Sequence, residues 1–108
     1  MNLSDDVLEK AYVIYDEFGP DRKIDRKERF KTEFNSLTSS DIDFLVKKMK
    51  TVTETVWGIA EKGGEIKLGK TKVIKLLQAK HPFLKAKGLE RAIFMVNYYA
   101  WHEGYDKQ

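Results

Sequence analysis

The stretch LTSSDIDFLVKKMKTVTETVWGIAEKGG, residues 37–64, decides the fold class. Thr38 is a good helix cap, Asp41 stands three residues on in the capping-box position, and Leu37 and Ile42 occupy the two positions of a hydrophobic staple. Behind this start, Ile42, Leu45, Val46, Met49, Val52, Val56 and Ala60 fall within one arc of a helical wheel. Gly63-Gly64 ends the run, as glycine does past a helix C-terminus. A long helix with one apolar face must bury that face against other elements.

The flanking sequence supplies more helices. Upstream, Ser4 caps a first helix with Asp5 and Asp6 in its first turn, and Leu3 and Leu8 again fit a staple. Val7, Leu8, Ala11, Tyr12, Ile14, Tyr15 and Phe18 form its apolar stripe, and Gly19-Pro20 stops it. A second helix begins near Asp25, with Glu28 at the capping-box position and Phe30, Phe34 and Leu37 as buried candidates. Downstream, a fourth helix is predicted over about 68–80, stopping before Pro82. A fifth is predicted over about 89–103, with an earlier start allowed because Pro82 suits a first helical position. The only strand-like pieces are residues 23–25 and 65–68. The fold class is therefore all-α: a compact bundle of about five helices in one domain, residues 1–108.

Composition removes whole classes of chemistry. The chain has 108 residues and no cysteine, which excludes a disulfide scaffold, Cys-ligated zinc, a thiol nucleophile and a thiolate-held iron–sulfur cluster. At this size about two-thirds of the unfolded surface is buried on folding, enough for a core without staples. Met1-Asn2-Leu3-Ser4-Asp5-Asp6 has neither a basic n-region nor an apolar h-region. The most apolar stretch, 92–101, is too short to span a bilayer and contains Asn97. These features lead to the expectation of a cytoplasmic protein without membrane contact.

The net charge of +3 hides an asymmetry. Residues 1–43 hold 11 acids and 7 bases, net −4, whereas residues 44–108 hold 6 acids and 13 bases, net +7. Most of the excess lies in 62–91, where Lys62, Lys67, Lys70, Lys72, Lys75, Lys80, Lys85, Lys87 and Arg91 face only Glu65 and Glu90. Such a segment suits an acidic partner, nucleic acid included. It equally suits a solvated helix face, because Val73, Ile74, Leu76 and Leu77 interleave with the lysines as an amphipathic helix requires.

Catalytic constellations are sparse. His81 precedes Pro82 at a turn, and His102 falls in the last turn of the fifth helix. Neither has a partner at metal-ligand spacing, so no metal is expected. The serines Ser4, Ser36, Ser39 and Ser40 fall at or near helix starts, and no G-x-S-x-G is present. Gly64, Gly69, Lys70 and Thr71 formally satisfy the phosphate-loop pattern G-x-x-x-x-G-K-T. That loop follows a buried parallel strand, and here a helix precedes it. No cofactor is expected.

Two loops carry a partial resemblance. Residues 21–30 join the first helix to the second, and residues 63–68 join the third to the fourth, each with a lone isoleucine, Ile24 or Ile66. The first unit resembles an EF-hand. With Ile24 at the apolar eighth position, Glu17 falls at position one, Gly19 at three, Asp21 at five, Arg22 at the turn glycine, Asp25 at nine and Glu28 at the terminal acidic position. The second loop begins at Ile59 and has Lys70 where the bidentate acid belongs. The run Lys23-Ile24-Asp25-Arg26-Lys27-Glu28-Arg29-Phe30, followed by Leu37-Thr38-Ser39-Ser40-Asp41-Ile42, also resembles the helical domain of the tellurite-resistance B type. These likenesses lie within residues 17–46. The EF-hand likeness implies paired helix–loop–helix units in which Ile24 and Ile66 form a short bridge.

The fifth helix has two apolar sides. Leu89, Ala92, Ile93, Val96, Tyr99 and Ala100 share one, and Phe94, Tyr98, Trp101 and Tyr105 recur at i, i+4, i+7 and i+11 on the other. Either the helix is central and buried all round, or the second side is an exposed aromatic strip for a partner helix, a second copy of the chain or stacked bases. The function expected is a non-enzymatic interaction module that binds a macromolecular partner through this strip and the basic surface of 62–91. A protein partner or homodimer leads, nucleic-acid binding through the lysine-rich segment is the alternative, and a degenerate metal- or nucleotide-binding domain is the third reading.

Overall fold

The Thr38 hydroxyl accepts the Asp41 N–H at 3.1 Å, and the Asp41 carboxylate accepts the Thr38 N–H at 3.1 Å. This reciprocal cap starts the 23-residue helix Ser39–Glu61. In the computed structural model, which describes residues 3–17, 19–105 and 107, the elements run in order α1 (Asp5–Tyr15), a 3-10 turn (Pro20–Lys23), α2 (Arg26–Glu33), α3 (Ser39–Glu61), α4 (Gly64–Leu68), α5 (Lys70–Lys80) and α6 (Ala86–His102). No strand occurs among the described residues, and the molecule is an all-α bundle.

Helices α3 and α6 pack on each other at the centre; α1 lies against both, α2 against α1 and α3, α5 against α3 and α6, and α4 chiefly against α6 and α5. The arc predicted for the third helix is the buried one: Ile42, Leu45, Met49, Val52, Val56 and Ala60 are all in the core, joined by Ile59. Tyr12, Phe30, Leu77, Leu84 and Val96 complete it from the other elements. Ser4 caps α1 by accepting the Val7 N–H at 3.2 Å, and Leu3 and Leu8 both pack against the core. Phe18 of the predicted first stripe lies outside the described residues, as do Met1 and Asn2.

Several boundaries differ from the sequence expectation. Residues 65–68 belong to the short helix α4, and residues 23–25 close the 3-10 turn and cap α2. Ile24 and Ile66 are both exposed and do not pair across strands. The physical reason at 65–68 is a cap that comes from another helix. The Asn97 carbonyl oxygen on α6 accepts the Glu65 N–H at 3.0 Å, and the Asn97 amide donates to the Glu65 carboxylate at 2.9 Å. Gly69, at φ +85°, then breaks the chain between α4 and α5, so the fourth helix starts at Lys70 rather than 68. The last helix starts at Ala86, between the two predicted starts, because Phe83 and Leu84 turn into the core and the Lys85 N–H is held by the Glu9 carboxylate of α1. Glu28 does not complete a capping box on α2; it pairs with Lys31 at the surface, while Asp25 alone caps.

The connection from α1 to α2 is built on one guanidinium. Arg26 donates to the carbonyl oxygens of Ile14 at 2.7 Å, Asp21 at 2.8 Å and Ile24 at 2.6 Å, and to the Glu17 carboxylate at 2.8 Å. Arg29 adds two bonds to Glu17 at 2.7 and 2.9 Å. Gathering loop carbonyls is a cation's task in a metal loop; here a side-chain cation does it. The positions aligned on the EF-hand do not converge, since Glu17 faces the two arginines, Asp25 caps α2 and Glu28 faces Lys31.

Candidate functional site

On α6 the two sides predicted from sequence separate cleanly. Ala92, Val96 and Ala100 are buried, and Leu89, Ile93 and Tyr99 pack against the core from half-buried positions. Met95, not singled out in the sequence, is buried beside them. The second side faces water, with Phe94 52% exposed, Tyr98 43%, Trp101 62% and Tyr105 37%. An aromatic residue carries about 150–250 Å² of surface, so these fractions leave on the order of 400 Å² of aromatic surface in solvent. That is the size of the largest patches on typical monomers, which are often functional.

Phe94, Tyr98 and Trp101 form a continuous strip. Tyr98 stacks on Phe94 with centroids 6.5 Å apart and planes 6° from parallel, lies 6.3 Å from Trp101 and 5.7 Å from the His102 ring. Arg91 sits 6.0 Å from the Phe94 ring at the N-terminal end. Tyr105, expected from sequence as the i+11 member of the same helix side, instead lies beyond α6, because the helix ends at His102 and the chain turns through Gly104, with the Tyr105 N–H donating to the Ala100 carbonyl at 2.8 Å. By contrast Trp57 is engaged inside the molecule, stacked on Tyr99 at 4.1 Å.

The nine bases of 62–91 divide among separate surfaces. Lys62 and Lys80 line a groove between α3 and α5 together with Lys48. Lys70, Lys72 and Lys75 border a depression floored by Leu68 and Leu76. Lys87 and Arg91 border another with Val13, Glu90 and Phe94, and so lie next to the aromatic strip. Lys67 donates to the Lys107 carbonyl at 2.8 Å, and Lys85 is the residue before α6.

The Gly64-Gly69-Lys70-Thr71 match does not form a phosphate cradle. Helix α4 occupies the loop, Gly64 is buried against α6, and the Glu65 N–H is already bonded to Asn97. Among the described residues no three His, Asp or Glu side chains are grouped to hold a metal ion, and no helix is long and apolar enough to cross a membrane.

His81 is the residue whose placement the sequence hid. It is 4% exposed, at the end of α5, with Nε2 2.9 Å from the Thr55 hydroxyl of α3. The Thr55 hydroxyl also lies 3.1 Å from the Thr51 carbonyl oxygen, and the buried Nδ1 of His81 has no hydrogen-bond partner. Burial, then the charges of Lys48 and Lys80, hold the imidazole below its ordinary pKa. Tyr12 is also buried. Burial, reinforced by the Asp16 carboxylate, pushes its phenol up. Burial also raises Asp16, against the Tyr12 hydroxyl and the charges of Arg91 and Arg26. Neither residue lines the depressions above.

The chain matches no family model, no curated protein and no solved structure.

Proposed function

We propose that this protein is a non-enzymatic interaction module that docks a protein partner on the aromatic side of α6, through Phe94, Tyr98, Trp101 and Tyr105. The observation that carries the reading is the exposure of Phe94, Tyr98 and Trp101 along one continuous strip of a helix whose opposite side is core, with Tyr105 exposed in the turn beyond its end. Leaving that much aromatic surface in water forgoes roughly 25 cal/mol per Å² of hydrophobic stabilisation, on the order of 10 kcal/mol that a covering partner gains in gross terms. Aromatic residues and arginine are the types that dominate protein interfaces energetically, and Arg91 flanks the strip. The Phe94–Tyr98 pair and the neighbouring Lys87 also suit stacked bases, which keeps nucleic acid as the alternative. Against it stands the division of the remaining lysines onto other faces.

Photo-crosslinking in cells tests both. A benzoylphenylalanine at Tyr98 is compared with one at Lys31, an exposed position on α2. A discrete protease-sensitive adduct at 98 that is missing at 31 is the expected result. Nuclease-sensitive adducts at 98 turn the reading to nucleic acid. Equal adducts at both positions, or none at 98, contradict it.

A further inference from the structure

Resting on the docking reading above, we infer that the partner seated on the aromatic side of α6 is a second copy of this chain, whose own α6 lies antiparallel to the first.

The spacing of the exposed side selects a helix as the occupant. Lys87, Arg91, Phe94, Tyr98 and Trp101 follow one another at steps of four, three, four and three residues. That alternation is the seam of a two-helix pair, narrower than the face a helix turns to a core. Lys87, Phe94, Tyr98 and Trp101 are exposed along it, and Arg91 is half-buried.

Charge makes this seam complementary to itself when the two helices run in opposite directions. Its cations, Lys87 and Arg91, stand toward the N-terminal end, and Glu103 follows the C-terminal end. The first turn of α6 holds no acid, so Lys87 sits at the positive end of its own helix dipole, and it is in no ion pair among the described residues. A parallel copy sets Lys87 on Lys87 and Arg91 on Arg91, a juxtaposition of like charges. An antiparallel copy brings both cations to the negative end of the other α6. With the two-fold axis between Phe94 and Tyr98, Phe94 meets Tyr98 of the second copy. Arg91 then meets Trp101 of the second copy, a guanidinium on an indole.

The area agrees with a reversible pair. Phe94, Tyr98 and Trp101 carry most of the exposed aromatic surface, so two copies bury on the order of 700 Å² from these rings. Lys87, Glu90, Arg91 and His102 at the flanks bring the total toward about 1,200 Å², the lower edge of specific interfaces. An interface of that size gives a dimer that forms and dissociates with concentration.

Sedimentation equilibrium of the purified full chain over a concentration series is expected to show a monomer–dimer equilibrium. Tyr98→Glu and Trp101→Glu, both at exposed positions and verified as folded by circular dichroism, weaken it by about tenfold or more, whereas Lys31→Ala on α2 leaves it unchanged. The chain has no cysteine, so Lys87→Cys carries a single nitroxide for a distance measurement in the dimer. Antiparallel pairing about the stated axis sets the two labels about 27 Å apart along the helices, whereas parallel pairing sets them about one interhelical distance, roughly 10 Å, apart. The shorter separation overturns the antiparallel seam. A chain that stays monomeric throughout the series, or a dimer that survives both glutamates, overturns the second copy as occupant. The docking reading itself falls with it only if Trp101 is shielded from solvent in the monomer; a monomer with Trp101 open leaves the strip to a different protein.

Discussion

Gly64→Val is expected to lower the stability of the fold by about 3–4 kcal/mol. Gly64 opens α4 at φ +61°, in the left-handed region, where a residue with a Cβ costs about 1–2 kcal/mol. It is also buried against α6. A Cβ there meets the Asn97 carbonyl oxygen at 3.1 Å, Val96 Cγ1 at 3.2 Å and the Ala100 Cβ at 3.3 Å, so a branched side chain overpacks the contact by about 1–3 kcal/mol more. Val96 and Ala100 are core residues with little room to retreat. Pushing α4 away also strains the two Asn97–Glu65 bonds. Thermal denaturation should show a fall of roughly 15–20 °C in Tm for a domain of this size. Gly69→Val is the comparison, because Gly69 has a positive φ but nothing within 4 Å of the added Cβ. If the two variants melt together, the close approach of α4 to α6 does not contribute.

The second large effect is at Arg26. Arg26→Met removes one guanidinium from three backbone carbonyls and a carboxylate at once. Its side chain and that of Glu17 are only 17% and 16% exposed, so water replaces these partners incompletely. Hydrogen bonds to charged groups contribute about 1.5–3 kcal/mol each when a partner is stranded, and Arg29 still holds Glu17, so a net loss of about 2–3 kcal/mol is expected in urea denaturation. The same cluster sets an acid limb. Hydrogen bonds from Arg29, and then from Arg26, hold the Glu17 carboxyl at about 2, against an ordinary value of 4.5, with burial opposing. A depressed folded-state value means that the contribution is present above pH 4.5 and is lost as pH falls toward 2. Glu17→Gln should therefore be less stable than wild type at neutral pH and converge on it in that acid window. Parallel stability curves from pH 7 to 2 would exclude Glu17 as the titrating group.

Much of the scaffold was legible in local signals. The Thr38–Asp41 box, the Ser4 cap and the arc from Ile42 to Ala60 are written in consecutive residues, so spacing alone finds them. Residues 65–68 were misread because the cap that makes them helical comes from Asn97, 32 positions away in the chain. The start of the last helix was blurred for a similar reason, since Glu9 on α1 holds the Lys85 N–H. At the candidate sites, period recognised the two sides of α6, yet whether the aromatic side met solvent depended on which helices packed around it. The α3–α5 groove was invisible. His81 is 26 positions from the Thr55 that it meets, and nothing local to His81-Pro82 marks a buried imidazole.

The functional reading stands on the aromatic side of α6 being open in the isolated chain. Trp101 can report on it alone in Trp57→Phe, which removes the other indole and keeps an aromatic ring against Tyr99. The measurement is acrylamide quenching of that variant at a dilution where sedimentation gives a monomer. Red-shifted emission quenched nearly as readily as free tryptophan is the expected result. Blue-shifted emission that resists quenching in the monomer would mean that the chain covers the strip itself, and would contradict docking on this face.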